Sequence, residues 1–340
     1  MAGGLRPAAG RRKLTQPCRG VSSGDGAASD GAAGSISEEA PARPGREVVA
    51  GMTSLHAFPG SGVRMPASDR PAGFSLVELL AVVAILGTLV SLSLPAVQTA
   101  REASRRTSCS NNLRQMGLAI AGYEAARRWF PPGDDALSGR HHAWSSFILP
   151  FLEEGQTAGR INYARPWNDP AGNQAVIDTL IAAYVCPSGI ESFAGKQDYG
   201  GVLGTTVKLS EAEQLPPGWE HAGVLYATSE DCRAPCRAAE VTDGLSQTLL
   251  VSEGVDRGFA DMAGDSPIGN ARWACGTNCF FHNSPVLNTP DVDGFRSNHL
   301  GGVHGLYGDG HVSFMSDAAQ PDVLKAICTK AGGEATGEIP

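Results

Sequence analysis

From Leu79 to Val97 this 340-residue chain carries 19 residues without a charge. A helix rising ~1.5 Å per residue makes that run about 28 Å long, close to the ~30 Å of bilayer hydrocarbon. The run therefore spans a membrane as one helix, over about residues 76–97. At its head stands a single carboxylate, Glu78. A charge at mid-bilayer costs about 2.5–3.5 kcal/mol on insertion scales, so an acid beside hydrocarbon calls for a functional reason and a partner. The plainer reading is that Glu78 favours the positive end of the helix, an effect worth about 0.3–1 kcal/mol.

The residues before the run choose between these readings. Gly73-Phe74-Ser75-Leu76-Val77-Glu78 followed by an apolar helix resembles the processing site of type IV prepilins and of type II secretion pseudopilins. The resemblance implies cleavage by a prepilin peptidase between Gly73 and Phe74, N-methylation of Phe74, and a charge pair in assembly between Glu78 and the N-terminal ammonium of a neighbouring subunit. Pro95 matches the proline that kinks the helix in that family. Further along, Pro95-Ala96-Val97-Gln98, Arg101-Glu102-Ala103, Cys109-Ser110-Asn111-Asn112-Leu113-Arg114-Gln115, Phe130-Pro131-Pro132-Gly133, Cys186-Pro187-Ser188, Thr242-Asp243-Gly244-Leu245-Ser246 and Ala331-Gly332-Gly333-Glu334 look like the DUF1559 proteins, large pilin-like proteins of planctomycete type. That resemblance runs from Gly73 to about Glu334 and speaks to architecture more than to task.

Charge divides the chain. The formal net charge is -8, but residues 1–73 and 74–128 are each +3 and residues 129–340 are -14. An acidic head argues against nucleic acid or anionic lipid as its partner, because phosphate binding needs clustered Lys and Arg. Residues 1–73 are rich in Gly, Ala, Ser and Arg without apolar periodicity and read as a disordered leader. A start at Met65 would leave a short polar leader with one arginine, which sets a true start near residue 65 against the alternative of a long cytoplasmic extension from Met1. Arg101, Arg105 and Arg106 follow the apolar run, against the positive-inside bias; the processing motif instead puts the leader in the cytoplasm and the head outside the inner membrane.

The expected fold class is α+β and pilin-like: one long N-terminal transmembrane helix over residues 74–128, packed on an extracytoplasmic head, residues 129–340, with a small antiparallel sheet. Leu113, Met116, Ile120 and Tyr123 fall on one helical face. Phe130-Pro131-Pro132-Gly133 stops the helix, since proline lacks the N–H and disfavours helix before it. Helical spacing is read over residues 142–153 and 173–184, and short strands over 222–227, 248–252 and 272–274. His304-Gly305-Leu306-Tyr307 and His311-Val312-Ser313-Phe314-Met315 flank Gly308-Asp309-Gly310 and predict a hairpin.

Cys109, Cys186, Cys232, Cys236, Cys275 and Cys279 read as possible disulfides in an oxidising envelope. A Cys109–Cys186 bridge would tie the stem helix to the head. The C-x3-C pairs Cys232/Cys236 and Cys275/Cys279 also have zinc spacing, the weaker reading. His299, His304, Asp309 and His311 form the richest polar cluster, yet no nucleophile-elbow, Walker or H-E-x-x-H pattern accompanies them, so no enzyme and no metal site are assigned. Two of the histidines are expected to face solvent across the hairpin. Asp291, Asp293, Asp261 and Asp265 are loop carboxylates for which Ca²⁺, known in some pseudopilin heads, is weighed against ordinary Asx turns. The function expected is a pilin or pseudopilin-like structural subunit whose partners are the prepilin peptidase/methyltransferase, other pilin-like subunits and the inner membrane. The alternative is a non-polymerising, membrane-anchored envelope binding protein with an acidic, Ca²⁺-binding head.

Overall fold

A computed structural model describes residues 75–190, 192–205, 222–230, 232–255, 272–276, 278–282, 286–288 and 294–333. The apolar run is helical, as its composition dictates: α1 spans Leu76–Arg127, 52 residues, with Pro95 inside it. The chain divides into two compact units at Leu94 and Pro95. In the first, every described residue is exposed, including Leu76, Leu80, Val83, Leu86, Val90 and Leu92. The hydroxyls of Thr88, Ser91 and Ser93 bond back to the carbonyls of Ile85, Thr88 and Leu89 at 2.8, 2.9 and 2.7 Å. An apolar surface with its polar groups satisfied inside the helix is what hydrocarbon requires of a spanning segment.

In the second unit α1 buries one face: Cys109, Leu113, Met116, Gly117, Ala119, Ile120 and Tyr123. The spacing of Leu113, Met116, Ile120 and Tyr123 anticipates this stripe. The helix stops at Arg127, and Arg128 takes a positive φ of 68°, the left-handed conformation that often closes a helix.

The head is built on a five-stranded sheet in the order β3-β1-β2-β4-β5. The strands are β1 Tyr199–Thr205, β2 Leu249–Glu253, β3 Cys279–His282, β4 Gly302–Tyr307 and β5 Val312–Ser316. The pairs β1–β2, β2–β4 and β4–β5 are antiparallel, and β3 joins β1 in parallel at the edge. The small antiparallel sheet of the α+β expectation is thus present, extended by one parallel strand. Leu306 packs in the cluster that contains the α1 stripe, whereas Val303 and Tyr307 pack with Leu324 and Ile327 at the C-terminal helix, Pro321–Ala326. That alternation along β4 is the mark of a strand covered on both faces. Close approach is allowed where side chains are absent. A Cβ on Gly117 would lie 2.8 Å from Leu306 Cδ1, and one on Gly201 would lie 3.0 Å from the Trp144 ring.

The predicted hairpin is present, and several other local expectations need correction. The hairpin is β4–β5, with Gly310 at φ 90° in its turn. The strand read at 248–252 is β2, shifted by one residue. Residues 222–227 and 272–274 form no strand; Ala227, Arg272 and Cys275 make isolated bridges only. The helix read over 142–153 is one α-turn, Trp144–Ile148, continued as a 3-10 turn because Pro150 cannot donate to an α ladder. The segment 173–184 breaks into Gln174–Ile177 and Ala182–Tyr184. Strand β1 was not anticipated, since three of its seven residues are glycine.

Leu113, fully buried on the α1 stripe, should contribute in proportion to the cavity its loss would leave. Leu113→Ala is expected to lower head stability by about 2–5 kcal/mol, read as a lower denaturation midpoint followed by tryptophan fluorescence.

Candidate functional site

Two places gather the residues singled out by the sequence. At the stem, Gly73 and Phe74 lie outside the described residues, and so does the leader. Glu78 sits in the first turn of α1, where its Oε2 accepts the backbone N–H of Ser75 at 3.0 Å. This is half of a capping box, an acid at the third helical position reaching back to the cap. It uses one of the roughly four lone-pair sites of a carboxylate. Pro95, at the boundary between the units, removes the N–H that would bond the carbonyl of Ser91.

The second place is inside the head. Cys109 Sγ and Cys186 Sγ are 2.8 Å apart, both buried and both thiols rather than a disulfide. They come from different elements, Cys109 from α1 and Cys186 from the Cys-Pro-Ser turn that follows Ala182–Tyr184. His299, in the loop before β4, approaches Cys186 Sγ to 3.7 Å through its Nε2, and the same nitrogen lies 3.6 Å from Glu253 Oε1 at the end of β2. One ligand atom from each of Cys109, Cys186, Glu253 and His299 falls within 4.8 Å of all the others.

Each member is held by a neighbour. Glu102, two helical turns before Cys109 on α1, takes His299 Nδ1 at 2.7 Å, and Arg105 Nε bonds its other oxygen at 2.9 Å. Arg106 lies over the Phe314 ring at 4.7 Å and donates to the Leu300 carbonyl. Glu253 Oε2 accepts the backbone N–H of His304 at 2.8 Å, and its Oε1 meets His304 Nδ1 at 3.1 Å. The N–H of Ser188 points at Cys186 Sγ, 3.4 Å, and the N–H of Cys186 is held by Asp198 Oδ2, 2.9 Å. Asp198 pairs in turn with the buried Lys196 at 3.1 Å.

The electrostatics follow the geometry. The hydrogen bond from Cys109, helped by His299, pulls the Cys186 thiol down to about 6 against the opposing effect of burial, while Cys109 itself is pushed up. Burial alone would lower His299, but Cys186, Glu102 and Glu253 outweigh it and raise the imidazole to about 9.

The histidine reading is therefore redistributed. His299 and His304 are 3% and 6% exposed, so neither faces solvent. His311 does; it pairs with Asp309 at 2.6 Å and stacks on Tyr307. Asp309 also accepts the His311 N–H at 3.0 Å, its turn-forming role. Cys232 is in a disulfide while Cys236 is a thiol, and Cys275 and Cys279 are likewise thiols. Among the described residues these cysteines form no metal-binding group. Asp261, Asp265, Asp291 and Asp293, the Ca²⁺ candidates, lie outside the described residues. Sequence reasoning missed Glu253 and Glu102. The available signal was Glu253 closing the apolar strand Leu249-Leu250-Val251-Ser252, a charge where a buried strand tolerates none without a partner.

Compared with family models, residues 98–322 match the one described as protein of unknown function (DUF1559), and residues 69–94 match the prokaryotic N-terminal methylation motif. No curated protein and no solved structure matches.

The pair that anchors the Cys186 turn gives a direct test. Lys196→Met strips the counter-charge from Asp198, both residues being buried to 2% exposure or less. The loss is expected to be about 3–5 kcal/mol, measured by chemical denaturation, and Asp198→Asn combined with Lys196→Met should recover part of it.

Proposed function

Because the chain belongs to the DUF1559 family and opens its long helix with an N-terminal methylation motif, we propose that it is a pilin or pseudopilin-like structural subunit. In this reading a prepilin peptidase cuts between Gly73 and Phe74, and the new Phe74 N-terminus is methylated. The helix then holds the subunit in the inner membrane until assembly into a type IV pilus-like or type II secretion-like filament, with the head on the extracytoplasmic side.

The observation that carries this is the coincidence of the motif with a naked apolar helix whose first turn holds one acid. Every residue of the stretch 75–94 is exposed. A membrane covers such a surface, and so do the equivalent helices of other subunits in a filament core. Glu78 meets the Ser75 N–H and keeps acceptor capacity for one more donor. Cleavage would create a suitable one, an ammonium at residue 74, and a charge pair removed from water is far stronger than one in it. A cap alone would account for the acid but not for Gly73-Phe74 before it. The role assigned is structural.

Mass spectrometry of the membrane-extracted protein should find a mature chain beginning at N-methylated Phe74. Glu78→Ala should still insert in the membrane yet enter filaments at least about tenfold less well, the factor that corresponds to 1.4 kcal/mol. An uncut chain that enters no filament would leave the reading of a permanently anchored envelope binding protein, and assembly unchanged by Glu78→Ala would remove the charge pair assigned to Glu78.

A further inference from the structure

The geometry points to a metal site in the head: we propose that Cys109 Sγ, Cys186 Sγ, His299 Nε2 and Glu253 Oε1 bind one divalent ion of the zinc class. Nothing in the filament reading requires it, and it stands or falls separately.

Four donors of the right kinds converge in a buried place. Tetrahedral zinc has bonds of about 2.3 Å to sulfur and about 2.0–2.2 Å to nitrogen and oxygen. Ligand atoms at tetrahedral angles are then about 3.6 Å apart for nitrogen and sulfur, and about 3.4 Å for nitrogen and oxygen. The separations found are 3.7 Å from His299 Nε2 to Cys186 Sγ and 3.6 Å from His299 Nε2 to Glu253 Oε1. The sulfurs stand at 2.8 Å, well outside the ~2.05 Å of a disulfide and inside the ~3.8 Å of a tetrahedral thiolate edge. Opening that edge by about 1 Å is a matter of side-chain rotation.

The surroundings are those that metal ligands need. His299 gives Nδ1 to Glu102, which fixes the tautomer that leaves the Nε2 lone pair facing the other three. Glu253 has Oε2 tied to the His304 N–H, which orients Oε1. Cys186 receives the N–H of Ser188, a bond that favours thiolate. A disulfide would use two of the four groups and leave a buried histidine and a fully buried carboxylate aimed at an uncharged bridge. An ion uses all four. Two soft thiolates and an imidazole select zinc-like ions over Ca²⁺ or Mg²⁺, which take hard oxygen ligands in larger numbers.

The test uses the full-length chain, extracted in detergent, stripped with chelator and reloaded. Metal analysis of the protein as purified should find about one equivalent of zinc-class metal. Co²⁺ added to the stripped chain should give a thiolate-to-cobalt charge-transfer band and the intense visible absorption of a tetrahedral site. His299→Ala and the double variant Cys109→Ser/Cys186→Ser should abolish the charge-transfer band, and Cys236→Ser, at a buried thiol outside the cluster, should keep it. Glu102→Gln should keep the band while weakening metal affinity by about 10–100-fold, the usual effect of losing a partner that orients a ligand; this variant retains all four ligands and so separates orientation from misfolding. A Cys109–Cys186 disulfide found by peptide mapping after thiol trapping, with no bound metal, would overturn the proposal. So would a charge-transfer band that survives the double cysteine variant.

Discussion

One face of α1 is the surface on which the described head is assembled. From Glu102 to Tyr123 it supplies a carboxylate, two turns later a thiol, and then, at intervals of four and three, a run of apolar side chains. The apolar part is buried against the cluster that includes Leu306 of β4, and Gly117 sets how closely helix and strand approach. The polar part reaches loops far away in sequence: Glu102 meets His299 across 197 residues, and Cys109 meets Cys186 across 77. Without this face the Cys-Pro-Ser turn, the end of β2 and the loop before β4 would have no common partner.

The sequence carried much of this and concealed a definite part. Periodicity exposed the α1 stripe because the helix contributes one long amphipathic face, and turn chemistry exposed the β4–β5 hairpin because Asp309 and Gly310 are obligatory there. The strand β1 escaped because Tyr-Gly-Gly-Val-Leu-Gly-Thr has little β-propensity; Gly201 within it lets Trp144 and Cys279 press against the backbone. Segment 142–153 read as a longer helix because Trp144, Phe147, Ile148 and Phe151 keep helical spacing through Pro150, and spacing alone does not register a missing N–H. Of the head site, Cys109, Cys186 and His299 were each legible as unusual residues, but their convergence was not. Three of the four elements that meet there are separated by irregular loops, and no short motif encodes a junction made by tertiary packing. Glu102 reads as an ordinary carboxylate of a helix surface, and Glu253 is marked only by its place at the end of an apolar strand.

The protein poses one physical problem twice, that of an acid removed from water, and the two answers differ in kind. Glu253 is fully buried, and its oxygens are taken up by the backbone and ring of His304, with His299 close by. Glu102 is taken up by His299 and Arg105. These acids find donors within the chain, and Glu253 keeps acceptor capacity toward Cys109, Cys186 and His299. Glu78 has the N–H of Ser75 and a helix that offers hydrocarbon-like surroundings on every side. An acid satisfied internally is a structural element. One left with spare acceptor capacity at the edge of an apolar surface makes association specific, because a mispaired neighbour would bury it without compensation, a penalty of several kcal/mol in a medium without water. In the proposed filament that penalty sets the register: apolar contact drives the helices together at almost any offset, and the charge at residue 78 rejects every offset except the one that presents a cation.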